Sequence, residues 1–171
     1  NCFVWMSSDQ EEIWQKIGVD HRLEMAIYWG SNPVMNGANS ELLERALKKI
    51  PFIVSFSPFL DESSAMPDLI LPDQTYMERW QDDQVNHLAG FTCFSLARPA
   101  SKPLHQSRNT ADVVLQIGQS LGATVAKNFP WKSFEEVLRA GAEGLFKSGR
   151  GYVVSVNAEE ALRKVLERQG Y

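Results

Sequence analysis

Three short apolar runs, separated by one amphipathic segment and one loop, constrain the fold of this chain more than any other feature. Residues 24–29, 51–56 and 69–71 are predicted to be buried strands, because each run is bounded by turn residues such as Gly, Pro or Asp. Residues 40–49 carry apolar side chains at helical spacing and run from acidic to basic, as the helix dipole favours. This order predicts an α/β fold with an open, mostly parallel, Rossmann-like sheet and flanking helices.

Weaker signals predict the rest of the chain. A capping box that starts at Ser8 predicts a short helix to about residue 17. Residues 73–108 show no clear periodicity, so we expect a long loop there with one short strand at 91–96. Capping residues and amphipathic spacing then predict three helices, over residues 112–121, 133–146 and 157–169.

Length and composition indicate one globular domain. The chain has 171 residues, of which 44% are apolar and 22% charged, and this is enough apolar material for a core. No stretch approaches the roughly 18 consecutive apolar residues that a membrane span requires, so direct membrane insertion is not expected. The chain opens without an initiator methionine or a basic leader. We therefore expect a single α/β domain over residues 1–171, a fragment of a longer chain, with a core at 20–125 and a helical C-terminal part at 126–171.

Several classes of function are disfavoured by composition and spacing. A net charge of −4 without a basic block argues against a nucleic-acid partner. Cys2 and Cys93 lack CxxC spacing, so this segment alone is not expected to form a zinc site or an iron–sulfur cluster. His21, His87 and His105 lie in separate segments, and no metal site is expected from them. No GxGxxG or GxxxxGK[ST] motif is present, which argues against the usual dinucleotide and P-loop modules.

Ligands of open α/β sheets lie at the carboxyl ends of the strands, and three segments here carry suitable side chains. In Gly30-Ser31-Asn32-Pro33 the glycine allows close backbone approach, and the asparagine offers donors and an acceptor. Ser55-Phe56-Ser57-Pro58-Phe59 offers two hydroxyls and two aromatic faces for a ribose and a base. Asp61-Glu62, with Asp68 further on, offers carboxylates that accept paired hydrogen bonds from a guanine edge or a ribose diol. Taken singly, each is more often a turn, a core segment or a helix start.

The order and spacing of these segments are more specific than any one of them. Along the chain come Trp29-Gly30-Ser31-Asn32-Pro33, a helix, residues 51–55, Asp61-Glu62-Ser63, residues 67–72 and Tyr76-Met77-Glu78. This series resembles the third domain of molybdopterin oxidoreductases of the dimethyl sulfoxide reductase family. There a strand ends in Gly-x-Asn-Pro, and a Thr-Glu-Thr-like turn, Ala-Asp-x-x-Leu-Pro and Leu-Glu follow. Residues 98–131 extend the likeness towards the polysulfide and thiosulfate reductase branch and related quinone-reductase subunits.

The resemblance implies a binding role for this segment and no catalytic or metal-ligating residue. In the family this domain binds the guanine dinucleotide end of one pterin cofactor, and the metal ligand and the iron–sulfur cysteines lie upstream. The chain would then be the molybdopterin-guanine-dinucleotide-binding segment of a catalytic subunit in anaerobic or respiratory electron transfer. The implied partners are the remaining domains of the parent chain and the iron–sulfur and membrane subunits of a respiratory complex. In the family, the glutamate at position 78 anchors its segment.

Departures from the family pattern keep a second hypothesis open. Ser57 stands where the family has an acidic residue, Asp61-Glu62-Ser63 replaces Thr-Glu-Thr, and Pro67 replaces the usual alanine. Some family members have lost the pterin and keep the scaffold. The alternative is therefore a cofactor-free structural segment of a membrane-bound, quinone-linked electron-transfer complex.

The aromatic content predicts an exposed apolar surface. Five Trp and nine Phe are many for a chain of this size. We expect a patch larger than is usual on monomers, and self-association, because the neighbouring domains of the parent chain would cover it. The predicted loop at 73–105, with Phe91 and Phe94, is the expected location.

Overall fold

The computed structural model describes residues 23–36, 39–86, 92–149 and 155–168. The helix predicted from Ser8 lies outside these residues, as do His21, His87 and Phe91. The chain forms two compact units that divide between Asp73 and Gln74. The single domain with its core at 20–125 stays a prediction.

The first unit contains a parallel sheet of three strands in the order β1-β2-β3. The strands are β1 (Met25–Trp29), β2 (Phe52–Phe56) and β3 (Leu69–Leu71), and both neighbouring pairs are parallel. Two helices, α1 (Pro33–Asn36) and α2 (Ser40–Leu47), connect β1 to β2. The predicted α/β class, the three strands and their parallel pairing are confirmed.

Helix α2 covers one face of the sheet because its apolar positions fall on one stripe. The Asn39 side chain caps the helix by accepting a hydrogen bond from the backbone N–H of Leu42 at 3.0 Å. The stripe packs against the buried face of β1 and the residues that follow. The resulting core contains Ala26, Tyr28, Val34, Leu43, Ala46, Leu47, Ile50 and Ile53.

The other face of the sheet keeps partly exposed apolar side chains. The register places Met25 beside Phe52, so these two side chains share a face with Ile27 and Trp29. Their exposed fractions lie between 41% and 50%. Tyr76, Met77 and Leu104 in the predicted loop region are also exposed, whereas Phe94 is partly buried against a core. Self-association stays a prediction.

The second unit contains an antiparallel strand pair and four described helices. The pair is β4 (Gln81–Asn86) with β5 (Thr92–Ala97). The helices are α3 (Thr110–Ser120), α4 (Ala123–Ala126), α5 (Phe134–Lys147) and α6 (Ala158–Arg168). The predicted short strand and three of these helices are confirmed to within one or two residues. The expectation of loop over residues 81–86 is wrong, because β4 pairs along its whole length with β5.

A second core forms where β5 meets the two long C-terminal helices. Its buried members are Leu96, Leu138, Ala142, Leu162 and Val165, with Trp80 and Phe94 packed against them. The carboxylate of Asp112 accepts a hydrogen bond from the backbone N–H of Phe134 at 2.6 Å, which joins α3 to the start of α5.

Gly118 in α3 gives a test of this packing. A Cβ at this position would lie 2.8 Å from ring atoms of Phe129, which is closer than van der Waals contact allows. Gly118→Ala is therefore expected to destabilise the chain by about 1–2 kcal/mol, since overpacking outweighs the helix preference of alanine. Gly141→Ala in α5 is the matched control, because its Cβ would meet nothing within 4 Å. That variant should gain up to about 1 kcal/mol in urea unfolding. Equal effects of the two substitutions would contradict the packing described here.

Candidate functional site

The turn after β1 needs a glycine and is organised by an asparagine. Gly30 has φ of 60°, a conformation that side chains with a Cβ rarely adopt, and the space beside it is open. Two residues later, the side-chain oxygen of Asn32 accepts a hydrogen bond from the backbone N–H of Met35 at 3.2 Å. Asn32 thereby fixes the start of α1, and Gly30 and Ser31 remain exposed.

Two side chains from a later turn join this first strand end. The Asn32 amide donates to the carboxylate of Glu62 at 2.9 Å. The hydroxyl of Ser63, which is 1% exposed, donates to the Asn32 side-chain oxygen and accepts from the backbone N–H of Val34 at 2.9 Å. The structure therefore brings together the segments at 30–33 and 61–62, as the strand-end rule predicts.

Asp61 and Glu62 have different roles in that turn. One oxygen of Asp61 accepts from the backbone N–H of Ser64 at 2.7 Å and from its hydroxyl at 2.8 Å, so Asp61 shapes the turn. Glu62 is exposed, and the hydrogen bond from Asn32, then its own backbone N–H, lowers the pKa of its carboxyl group. At neutral pH this edge of the sheet therefore presents a carboxylate that accepts hydrogen bonds.

The end of β2 is less accessible than its sequence suggests. Ser55 and Phe56 are 2% and 4% exposed, so both side chains lie in the interior. Ser57 is partly exposed, but its hydroxyl donates to the backbone oxygen of Phe59 at 2.7 Å and accepts from the N–H of the same residue. The structure therefore does not present Ser55 and Phe56 to a ligand at this edge.

A polar contact at the same edge links the ends of β1 and β3. Asp73, two residues beyond β3, is 5% exposed, and its carboxylate accepts a hydrogen bond from the indole N–H of Trp29 at 3.0 Å. The backbone N–H of Asp73 also donates to the Ser57 oxygen. The contact between Trp29 and Asp73 could not be predicted from the sequence. The two residues lie 44 positions apart and form no local motif.

Asp68 lies at the opposite edge of the sheet. It precedes β3, and its carboxylate accepts a hydrogen bond from the backbone N–H of Ile53, near the start of β2, at 2.7 Å. Its own N–H donates to the Ile53 oxygen at 3.0 Å. The structure does not bring Asp68 to the carboxyl edge with Asn32 and Glu62, and the side chain instead supports the pairing of β2 with β3.

Glu78 in the second unit holds two loop segments together. Its carboxylate accepts from the backbone N–H of Leu104 at 2.8 Å and from the N–H and hydroxyl of Thr75, each at 3.0 Å. These hydrogen bonds, led by that from Leu104, lower the pKa of Glu78. This contact is the kind of anchoring that the resemblance implies for this glutamate.

Neither a metal cluster nor a membrane-spanning helix is found among the residues described. Over residues 23–36, 39–86, 92–149 and 155–168, no three His, Cys, Asp or Glu side chains are grouped so that they could hold a metal ion. Within the same ranges, no helix has the length and apolar character needed to cross a membrane.

Comparison with known proteins identifies the protein family to which this chain belongs. The family model described as molybdopterin oxidoreductase matches residues 8–119. The chain belongs to the molybdopterin oxidoreductase family, which implies a molybdopterin cofactor. The resemblance inferred from the sequence is confirmed.

Individual relatives are named as subunits of reductases. The menaquinone reductase molybdopterin-binding-like subunit of Nitratidesulfovibrio vulgaris is 31% identical over 116 residues, which cover 68% of this chain and 16% of that relative. The thiosulfate reductase molybdopterin-containing subunit PhsA of Salmonella typhimurium is 24% identical over 141 residues, which cover 82% of this chain and 16% of the relative. The chain thus spans about a sixth of the length of these curated relatives.

A solved structure shares the fold. Acetylene hydratase from Pelobacter acetylenicus superimposes with a TM-score of 0.60 over 78% of this chain and 18% of its own, at 15% sequence identity. At this identity the likeness concerns the fold alone.

Proposed function

We propose that this chain is the segment of a molybdopterin oxidoreductase that binds the guanine dinucleotide end of the pterin cofactor. The observation that carries the proposal is the hydrogen-bonded group of Asn32, Glu62 and Ser63, which joins two strand-end turns at one edge of the sheet. When bound, the cofactor supplies the redox chemistry of the family. The residues of this chain hold one end of it and perform no turnover alone.

The charges at this edge favour one orientation of the bound ligand. Helix α2 follows β1, so its N-terminus lies on the carboxyl side of the sheet and favours a phosphate group. Gly30 and Ser31 are exposed and allow the backbone to approach such a group closely. The ionised Glu62 repels phosphate. The phosphates would therefore lie towards Gly30 and Ser31, and the nucleoside towards Glu62.

Glu62 also has the right chemistry for guanine. The Watson–Crick edge of guanine presents two adjacent N–H donors, and a carboxylate accepts both. The hydrogen bond from Asn32 occupies one oxygen of Glu62 and lowers the pKa of its carboxyl group. A ribose diol would suit the same acceptor. The residues at this edge therefore fit the nucleotide end of a pterin dinucleotide, with Asn32 orienting the carboxylate that contacts it.

A second candidate function has one observation in its favour. The relative with 31% identity is named as a molybdopterin-binding-like subunit. The alternative is therefore a structural segment that retains the scaffold without the cofactor, in a membrane-bound, quinone-linked electron-transfer complex. In either case we propose that the chain works within a longer polypeptide and with further subunits of a reductase, including iron–sulfur and membrane subunits.

Titration with GMP tests the proposal. We expect GMP to bind weakly, because the other half of the cofactor cleft is missing while the cost of immobilising the ligand remains. Asn32→Ala should weaken binding about tenfold, since the loss of a hydrogen-bonded group is worth about 1.4 kcal/mol. Calorimetry and NMR shift mapping would measure both effects.

Asn157→Ala is the matched control for this titration. Asn157 also accepts a hydrogen bond at the start of a helix, from the N–H of Glu160 at 2.8 Å, but it belongs to the second unit. Its replacement should leave GMP binding unchanged. Shift changes confined to residues 108–171, or binding that Asn32→Ala leaves intact, would overturn the proposed site. Absence of any GMP binding would favour the structural alternative.

A further inference from the structure

We propose that the loop at 98–108, together with the exposed apolar side chains beside it, is a docking surface for an acidic region of another protein subunit. The inference rests on the part of the proposed function that places this chain in a reductase with further subunits, and it does not depend on cofactor binding. The docking surface belongs to the second unit and consists of Tyr76, Met77, Arg98, Lys102, Leu104 and Arg108.

The loop carries an excess of positive charge in a chain that is negative overall. Residues 84–111 contain no Asp or Glu, yet they contain Arg98, Lys102 and Arg108, whereas the whole chain has a net charge of −4. All three of these side chains are exposed. This part of the surface therefore attracts anionic groups, and the attraction also steers a partner before contact is made.

These cations differ from those on the C-terminal helices. In α5 and α6, four ion pairs of 2.6–3.0 Å join an Arg or Lys to a glutamate four positions away. Among the residues that the structure describes, Arg98 and Lys102 have no such carboxylate partner. Arg108 donates to the neutral side chain of Gln116 at 2.8 Å. The positive charge of the loop therefore stays available to carboxylates of another protein.

Hydrogen bonds join the loop to the exposed segment that precedes β4. The backbone oxygen of Met77 accepts from the N–H groups of Ala100 and Ser101, at 2.8 and 3.1 Å. The Glu78 carboxylate accepts from the N–H of Leu104 at 2.8 Å. The two segments therefore lie side by side, and their exposed side chains belong to one surface.

Three apolar side chains of this surface are exposed. Leu104 is 81% exposed, Tyr76 67% and Met77 50%. Leu104 lies between Lys102 and Arg108 in the sequence, so cations flank the apolar group. Protein interfaces are enriched in aromatic residues, methionine and arginine, and they surround an apolar centre with a polar rim. This composition favours a protein partner that presents carboxylates around an apolar patch.

The charges disfavour other occupants of the surface. A second copy that presented the same surface across a two-fold axis would bring like charges together, which opposes association. Anionic lipids and nucleic acids are bound by larger cationic clusters, on the order of four to eight Lys or Arg for lipid headgroups. This loop has three Arg and Lys residues.

Zero-length cross-linking in the assembled reductase tests the proposal. A carbodiimide joins a lysine amine to a carboxylate that it contacts, and Lys102 is the only lysine in residues 50–126. The complete parent polypeptide would be purified with its subunits and cross-linked, and mass spectrometry would identify the linked peptides. We expect Lys102 to be linked to an Asp- and Glu-rich segment of a different subunit. Lys102→Arg keeps the charge but lacks the amine, so it should abolish the cross-link while the complex stays assembled.

Substitutions then test whether the contact contributes to affinity for the subunit that the cross-link identifies. Arg98→Glu and Lys102→Glu should each weaken binding at least fivefold, by an order-of-magnitude estimate, because they replace attraction with repulsion. This effect should shrink as salt is added. Leu104→Ala should weaken binding about fivefold at every salt concentration, because it removes an apolar contact. Surface plasmon resonance would measure each affinity, and urea unfolding would verify that the exposed substitutions leave the fold intact.

Lys127→Glu is the matched control for Lys102→Glu. Lys127 is also exposed, but it follows α4 and lies beyond the far end of α3, a helix roughly 16 Å long. Its reversal makes the same change in net charge outside the docking surface. The affinity for the partner subunit should therefore stay within about twofold of the wild type, by the small effect expected of a remote surface charge.

The remaining outcomes overturn the docking surface. Cross-links from Lys102 to a second copy of the chain, no cross-link at all, or equal effects of Lys102→Glu and Lys127→Glu would each do so. Binding of the parent polypeptide to phosphatidylserine vesicles or to a single-stranded oligonucleotide would also do so if Lys102→Glu removed it. GMP binding is measured separately, so a failed docking surface leaves the proposed cofactor role standing. A parent polypeptide that purifies without any other subunit would overturn the proposed assembly and the docking surface together.

Discussion

Leu47→Ala is expected to lower the free energy of unfolding by about 2–5 kcal/mol, because it removes a fully buried side chain and leaves a cavity. Leu47 is 0% exposed and belongs to the core between α2 and the sheet. A loss of this size is a large share of the total stability of a typical domain. Urea unfolding followed by circular dichroism would measure it.

Leu60→Ala is the control for that substitution. The chemical change is identical, but Leu60 is 75% exposed, so the expected change is within about 0.5 kcal/mol. If the two variants unfolded at the same urea concentration, the packing of α2 against the sheet would not be the source of stability in the first unit.

Ser63→Ala is expected to destabilise the chain by about 1–3 kcal/mol, because it leaves a buried donor without a partner. The Ser63 hydroxyl accepts from the N–H of Val34 and donates to Asn32, and it is almost completely buried. The same substitution should weaken GMP binding, since Asn32 loses one of the contacts that orient it. Both effects can be measured on one sample, by urea unfolding and by NMR titration.

Ser57→Ala supplies the comparison for Ser63. The Ser57 hydroxyl bonds only locally, to the backbone of Phe59, and is partly exposed. Its loss should cost no more than about 0.5 kcal/mol. A Ser63→Ala variant as stable as Ser57→Ala would show that the bridge between the two turns contributes nothing to folding.

The parallel sheet was predictable because its strands are continuous apolar runs with turn residues at their ends. The proximity of Asn32 and Glu62 was predictable as well, since both follow strands and parallel strands place their carboxyl ends at one edge. The apolar pattern did not predict that residues on both faces of a strand are buried. In β2 the four residues from Ile53 to Phe56 are all buried, so Ser55 and Phe56 belong to the core despite their suitable chemistry.

Other contacts could not be predicted because their residues are distant in sequence. Trp29 and Asp73 are 44 positions apart, and only the strand order brings them together. Asp68 precedes β3 and therefore lies at the amino edge of the sheet. Because β3 has only three residues, the sequence alone does not clearly show at which edge Asp68 lies. Strand β4 has a polar sequence, and its extended form comes from pairing with β5 rather than from its own propensity.

The hydrogen bonds of Glu78 affect how this chain tolerates substitutions in the β4–β5 pair. Glu78 bonds to Leu104, 26 positions later, while the backbone oxygen of Met77 accepts from the N–H groups of Ala100 and Ser101. These hydrogen bonds therefore join the segment before β4 to the segment after β5, at the base of the strand pair. The bonds at the base keep residues 77–78 and 100–104 side by side, so a substitution that weakens one β4–β5 pair would not by itself separate the two strands.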